Sequence, residues 1–149
     1  MKNLFEQDSA REIQDRLNNL SPASRGSWGK MTVAQMLAHC AVTMEVATGK
    51  KKLPRLFIGR ILGPIAKPSY LGPKVHSKNN PTDKYFQVMD ERDFEKEKER
   101  LSQLIRQFSE GGEAACTRHP HSFFGRMTPG EWARGMYKHL DHHLRQFGV

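Results

Sequence analysis

The stretch that most constrains this chain is its last, Met127 to Val149, which carries a full set of helix-start signals followed by an apolar stripe at helical spacing. Thr128 offers a hydroxyl at the cap position. Pro129 suits the first helical position because the amide it lacks would have no partner there, and Glu131 stands where its carboxylate reaches back to the cap amide. At about 100° per residue, with Trp132 set at zero, Met136 falls near about 40°, Phe147 near about 60° and Leu140 near about 80°. These residues define a buried face. His139 at about −20° and His143 at about 20° lie on that same face, and His142 at about −80° lies at its edge.

Two imidazoles one turn apart on an apolar face need partners for their ring nitrogens, because an unbonded polar group in the interior is costly. A metal ion satisfies one nitrogen of each, and a pair spaced four apart on a helix can grip a single ion. The competing reading is a pair of core histidines bonded to backbone carbonyls or neighbouring carboxylates. A metal site needs a third ligand, and the candidate is His39, on the border of the apolar stripe of an earlier helix. Three histidines without a thiolate describe an open site in which water or substrate takes the remaining positions. Imidazole donors suit zinc, nickel, iron and copper alike, so ligand type does not name the metal. Asp141 and Glu45 are carboxylates available to support such ligands or to act as general bases.

Elsewhere the periodicity predicts an all-α chain. Residues 9–20 read as a first helix, opened by Ser9 with Glu12 as a capping box and buried through Ala10, Ile13, Leu17 and Leu20. Residues 21–29 break the pattern, with Trp28 expected to fold back as an anchor. Thr32 and Gln35 predict a second capping box, and the helix they open runs to about Thr48, with Gly49 as its stop signal. From Gly49 to Thr82, five prolines and three further glycines predict a long crossover connection, with a short extra helix between Pro54 and Leu62. A third long helix is expected from Asp90 or Asp93 to Ser109, its charged first half, Asp90 to Arg100, lying on a solvated face. Residues 113–127 read as a loop in which His119 and His121 flank Pro120 and in which Phe123 and Phe124 plug one end of the bundle.

At 149 residues the chain fits one domain, 1–149, that needs neither disulfides nor a structural metal to fold. Any metal is therefore expected to serve function. No apolar run approaches the length of a membrane span and no secretory h-region follows Met1, so the expected compartment is the cytoplasm, with no membrane partner. Cys40 and Cys116 form no C-x-x-C and are read as reduced, Cys40 as a core residue rather than a nucleophile. The net charge of +8 is concentrated, because residues 46–82 hold eight lysines and arginines and no acidic residue. Such an excess draws anions, whether nucleic acid, an anionic membrane surface or an acidic small molecule. Nucleic acid is disfavoured by the lack of a reader motif and of interleaved aromatics. Phosphate-loop, dinucleotide, H-E-x-x-H and G-x-S-x-G signatures are all missing.

Trp28 followed by T-x-x-Q-M-L-A-H, Thr32 to His39, together with the terminal H-x-x-x-H, resembles the DinB-like (YfiT-like) superfamily, and nearest a branch catalogued as a domain of unknown function. Residues 119–147 and Asn79-Asn80-Pro81-Thr82 look especially like that branch. The resemblance implies a four-helix bundle with a long crossover, a homodimer, and a metal site made by His39, His139 and His143. It implies a divalent metal, nickel or zinc or else manganese, and activities such as those of metal-dependent thiol transferases and isomerases that use a low-molecular-weight thiol. The chain departs from the pattern in Cys40, where leucine is common, and in His142 inside the terminal motif; wheel geometry favours His143 over His142. The expected function is thus a metal-dependent enzyme, a thiol transferase or hydrolase, acting on a small and anionic substrate. The alternative is a non-catalytic dimeric helical-bundle interaction module with a vestigial metal site.

Overall fold

A computed structural model describes all residues, 1–149, and contains five α-helices and no strand. They are α1 (Gln7–Asn18), α2 (Val33–Ala47), α3 (Phe57–Leu71), α4 (Phe94–Gly111) and α5 (Pro129–Gln146). Two 3-10 turns, Lys84–Phe86 and Gly112–Ala115, stand on either side of α4. No helix is long and apolar enough to cross a membrane.

The local start signals operate as the sequence predicts for α2 and α5. The Thr32 hydroxyl accepts from the Gln35 amide at 3.2 Å while the Gln35 side chain accepts from the Thr32 amide at 3.0 Å. Thr128 and Glu131 repeat the arrangement at 3.2 and 2.8 Å. Thr48 ends α2 and Gly49 follows with φ 78°, the left-handed conformation that favours glycine. Asp93 opens α4 by accepting from the Lys96 amide at 2.8 Å.

The first helix starts earlier than expected. Ser9 is not its cap: it lies buried inside α1 and its hydroxyl donates to the Glu6 carboxylate at 2.9 Å. The chain is fixed upstream instead, by a fully buried Leu4 whose amide donates to the Ala133 carbonyl at 3.2 Å. That anchor brings residues 7 and 8 into helical register before Ser9 is reached.

Polar contacts fix the direction of each helix. Gln35 bonds the carbonyl of Asp90, Glu45 pairs with Arg100, and Lys50 bonds Gln107. Contacts that climb together along both segments make α2 and α4 parallel neighbours. In α1 and α4 the order reverses, Gln14 meeting Ser102 and Asn18 meeting Lys98, so they are antiparallel. Glu12 meets Tyr137 and Arg16 meets Asp141, so α1 and α5 are parallel. Hence α2 and α5, which pack together, run antiparallel. Parallel neighbours cannot be joined by a tight turn, and this is why residues 48–93 form a long crossover. The core that results is lined by Ile13, Leu17, Met36, Leu37, Met44, Leu101, Ile105, Phe108, Trp132 and Leu140. Cys40 belongs to it, its sulfur 3.7 Å from that of Met36.

Two features of the crossover and of α4 differ from expectation. The short helix between Pro54 and Leu62 is in fact fifteen residues long, begins at Phe57 and continues through Pro64 and Pro68. Proline inside a helix removes an amide bond and crowds the preceding turn. Both prolines lie on the exposed side here, and the opposite side is held by close packing. A Cβ on Gly63 would stand 2.2 Å from the Phe123 carbonyl oxygen, and one on Gly59 would stand 2.7 Å from it. In α4, Glu97 departs from the solvated face. It is buried and bonded to Arg92 at 3.2 Å and Arg100 at 2.8 Å, and Arg100 in turn holds Glu45 of α2.

Gly63→Ala is therefore expected to destabilise the protein by about 1–3 kcal/mol, because the added methyl displaces the 121–125 loop from α3. Gly130→Ala, where a Cβ meets nothing within 4 Å, serves as the control and should be neutral or stabilising by up to about 1 kcal/mol. Urea unfolding of the two variants measures the difference.

Candidate metal centre

Where α2 and α5 cross, His39, His139 and His143 come together. Ring centroids are 4.9 Å apart for His39 and His139, 4.8 Å for His39 and His143, and 4.7 Å for His139 and His143. One nitrogen from each ring lies within 4.8 Å of those of the other two. His39, at the border of its helical stripe by sequence, is buried in the fold, because the chain around Phe86 closes over it.

The tautomers of two of the rings follow from their partners. Nδ1 of His39 lies 2.7 Å from the Phe86 carbonyl oxygen. A carbonyl only accepts, so Nδ1 carries the proton and Nε2 keeps its lone pair. Nδ1 of His143 lies 2.8 Å from Oε1 of Gln146. The amide of Gln146 is oriented by its Nε2, which donates to the Trp28 carbonyl at 2.7 Å, and its oxygen is thereby left to accept from His143 Nδ1–H. Again Nε2 retains the lone pair. In His139, Nε2 is buried and has no hydrogen-bond partner. Two other buried side-chain nitrogens lack partners, Nε of Arg92 and Nε1 of Trp132, but both are N–H donors unable to ligate a cation. Among the three, only His139 Nε2 can offer a lone pair.

Burial, reinforced by the other histidines, keeps the cluster neutral. It pushes His143 down to about 3 and His139 well below the ordinary histidine value, and it lowers His39 as well, against the Phe86 carbonyl, which favours the protonated form. Neutral imidazoles with free Nε2 lone pairs are the form in which histidine binds metal.

His142 points sideways, as the helical wheel predicts. Its ring lies 5.6 Å from Trp28, 6.0 Å from His76 and 5.1 Å from His143. Trp28 folds back onto α5 as expected, held by the Gln146 bond and by the Ser27 amide donating to the Gln146 carbonyl at 2.8 Å. The end of the crossover forms the rim. His76 stacks on Tyr70 at 4.8 Å, Lys78 sits 4.5 Å from the centre of the Trp28 ring, and Lys138 donates to the Gly72 carbonyl at 2.6 Å.

The remaining candidates serve the framework. His119 bonds the Leu53 carbonyl at 3.0 Å. His121 accepts the amides of Phe123 and Phe124 on Nδ1 and lies against Trp132 and Phe124, with burial and the nearby Arg55 lowering it to about 4. Arg55 ties down the same loop through the carbonyls of His121 and Phe123 at 2.7 and 3.1 Å. Asp141 is engaged by Arg16 and Arg145, and Glu45 by Arg100. Neither carboxylate is hydrogen-bonded to a histidine of the cluster. Burial raises the Cys40 thiol, which removes it as a nucleophile.

Gln146 and the Phe86 carbonyl are the parts that sequence reasoning misses. A glutamine three residues after an inward histidine on one helix was a readable signal; a backbone carbonyl contributed from 47 residues away in sequence leaves none.

The chain belongs to the family described as protein of unknown function (DUF1569). The match covers residues 4–148, and therefore takes in every helix and all three histidines. No curated protein and no solved structure matches the chain.

His121 and His143 protonate more readily in the unfolded chain, near 6.5, than in the fold, where burial holds them at about 4 and about 3. The stability they contribute is complete above about pH 6.5 and is lost as the pH falls toward those lower values, since the unfolded chain takes up the protons first. With a chelator present, the urea midpoint is expected to be lower at pH 5 than at pH 7. An unchanged or higher midpoint at pH 5 contradicts the burial of these rings as neutral species.

Proposed function

We propose that this DUF1569 chain is a divalent-metal-dependent enzyme of the DinB-like type, a thiol transferase or hydrolase, in which His39, His139 and His143 hold the metal. The observation that carries this reading is the buried Nε2 of His139, unpartnered beside two other imidazoles whose Nδ1 protons are already engaged. A core of structural histidines would place a donor or acceptor against each buried nitrogen. Here the His139 nitrogen has none, although one nitrogen of each of the other two rings lies within 4.8 Å of a nitrogen of His139, an arrangement that a cation completes. The all-imidazole donor set suits nickel or zinc better than manganese, and the lack of a thiolate matches a site open to further ligands rather than a closed structural one.

When bound, such a cation supplies Lewis acidity, stabilising negative charge on an oxygen or sulfur brought against it. The chain's own residues supply orientation. The Phe86 carbonyl holds the His39 ring, and Gln146, itself fixed by the Trp28 carbonyl, holds His143. Trp28, His76, His142 and Lys78 stand at the rim, where the cation-rich crossover attracts a small anionic substrate or a low-molecular-weight thiol.

Protein purified without a histidine tag is expected to carry close to one divalent ion per chain by elemental analysis, and His139→Ala to lose it. Protein without stoichiometric metal, or His139→Ala with unchanged metal content, overturns the reading. Gln146→Leu removes the acceptor that orients His143 and should weaken metal binding about 10–100-fold, with circular dichroism confirming that the helices persist.

A further inference from the structure

The outward face of α3 is apolar over its first nine residues, Phe57 to Ile65. Phe57, Ile58, Ile61, Leu62 and Ile65 recur at one-turn spacing and lie between 44% exposed at Leu62 and 78% at Phe57. On a helical wheel they span about 140°, and the only other residues in that arc are Pro68 and Ser69. The inward face is committed elsewhere, Gly59 and Gly63 to the Phe123 backbone and Tyr70 to Gly135. Isolated exposed apolar residues are ordinary on a protein surface, but five bulky ones in a continuous stripe mark a contact surface.

The charge around the stripe identifies what it contacts. The segment from Val46 to Thr82 carries Lys50, Lys51, Lys52, Arg55, Arg60, Lys67, Lys74 and Lys78 and no acidic residue. Of these eight, only Lys67 has a carboxylate partner, Glu131 at 2.7 Å. Lys52, Arg60 and Lys74 are exposed, before, within and after the helix. Pairing this face with itself in a two-fold dimer brings like charges together without compensation. An anionic bilayer surface satisfies both features at once, because bulky apolar side chains enter the boundary between headgroups and acyl chains while lysines and arginines meet phosphates.

We infer that α3 is an interfacial helix that docks this protein peripherally on anionic phospholipid surfaces, with Phe57, Ile61 and Ile65 inserting and Lys52, Arg60 and Lys74 contacting the headgroups. The attachment does not span the bilayer; α3 is fifteen residues long and lies flat against the rest of the protein. Its residues are distinct from those of the metal centre, whose histidines are on α2 and α5.

The test is co-sedimentation of the full chain with vesicles of phosphatidylcholine alone and of phosphatidylcholine containing about one third phosphatidylserine. The expected result is at least about tenfold stronger binding to the anionic vesicles, declining as salt is raised. The triple variant Phe57→Glu, Ile61→Glu, Ile65→Glu should lose that binding while keeping the wild-type helical signal, because its substitutions lie on an exposed face. A second variant, Lys52→Glu, Arg60→Glu, Lys74→Glu, leaves the apolar stripe intact and should lose the preference for anionic vesicles. The inference is overturned if wild-type protein ignores anionic vesicles at low salt, or if the triple variant binds them equally well. It is also overturned if light scattering shows a wild-type dimer that this variant converts to monomer, which makes the stripe an interface between copies.

Discussion

Three neutral imidazoles share one gap between antiparallel helices, and much of the surrounding structure exists to keep them there. Each ring loses hydration on burial, and that loss is offset only if its nitrogens find partners. For His39 and His143 the partners of Nδ1 come from outside the helix that carries the ring, or are fixed from outside it. Phe86 reaches His39 from the end of the crossover, and Gln146 reaches His143 only in the orientation that the Trp28 carbonyl imposes. The 21–32 loop and the crossover are thus part of the histidine cluster as much as α2 and α5 are. Displacing either one frees a ring to turn.

The parallel packing of α2 and α4 explains why so long a crossover is present. Its entropic cost grows only slowly with length, and the segment is used at several points along its course. Arg55 ties it to the 121–125 loop, α3 packs along that loop and α5, His76 and Lys78 reach the rim, and Phe86 delivers its carbonyl to His39. One connection made necessary by topology therefore supplies the positive rim, one partner of the cluster and the exposed apolar stripe.

How much of this was legible in the sequence depends on how local the cause is. Both capping boxes, at Thr32 and Thr128, involve side chains and amides three residues apart and were readable directly. The inward aim of His139 and His143 and the sideways aim of His142 follow from helical period alone. Ser9 misled because its capping pattern competes with the buried Leu4 anchor, a tertiary contact with Ala133. The length of α3 was hidden because Pro64 and Pro68 are local breakers, whereas the helix is maintained by Gly59 and Gly63 lying against a loop sixty residues away. Glu97 looked solvated because its partners, Arg92 and Arg100, also looked like members of a charged surface.

Gly59 and Gly63 also explain why α3 leaves its apolar stripe outside. A helix packed through large side chains would turn its bulkiest residues inward, but here the inner face is glycine against backbone, with no room for a methyl at either position. The large residues can lie only on the outer arc. The stripe is thus a consequence of how closely the helix approaches the Phe123 loop, and not an unfinished part of the core. Because α3, Arg55 and Lys67 all hold the 121–126 segment, and His121 in that segment packs against Phe86, a displacement of α3 by whatever covers the stripe passes through few contacts before it reaches the carbonyl that orients His39.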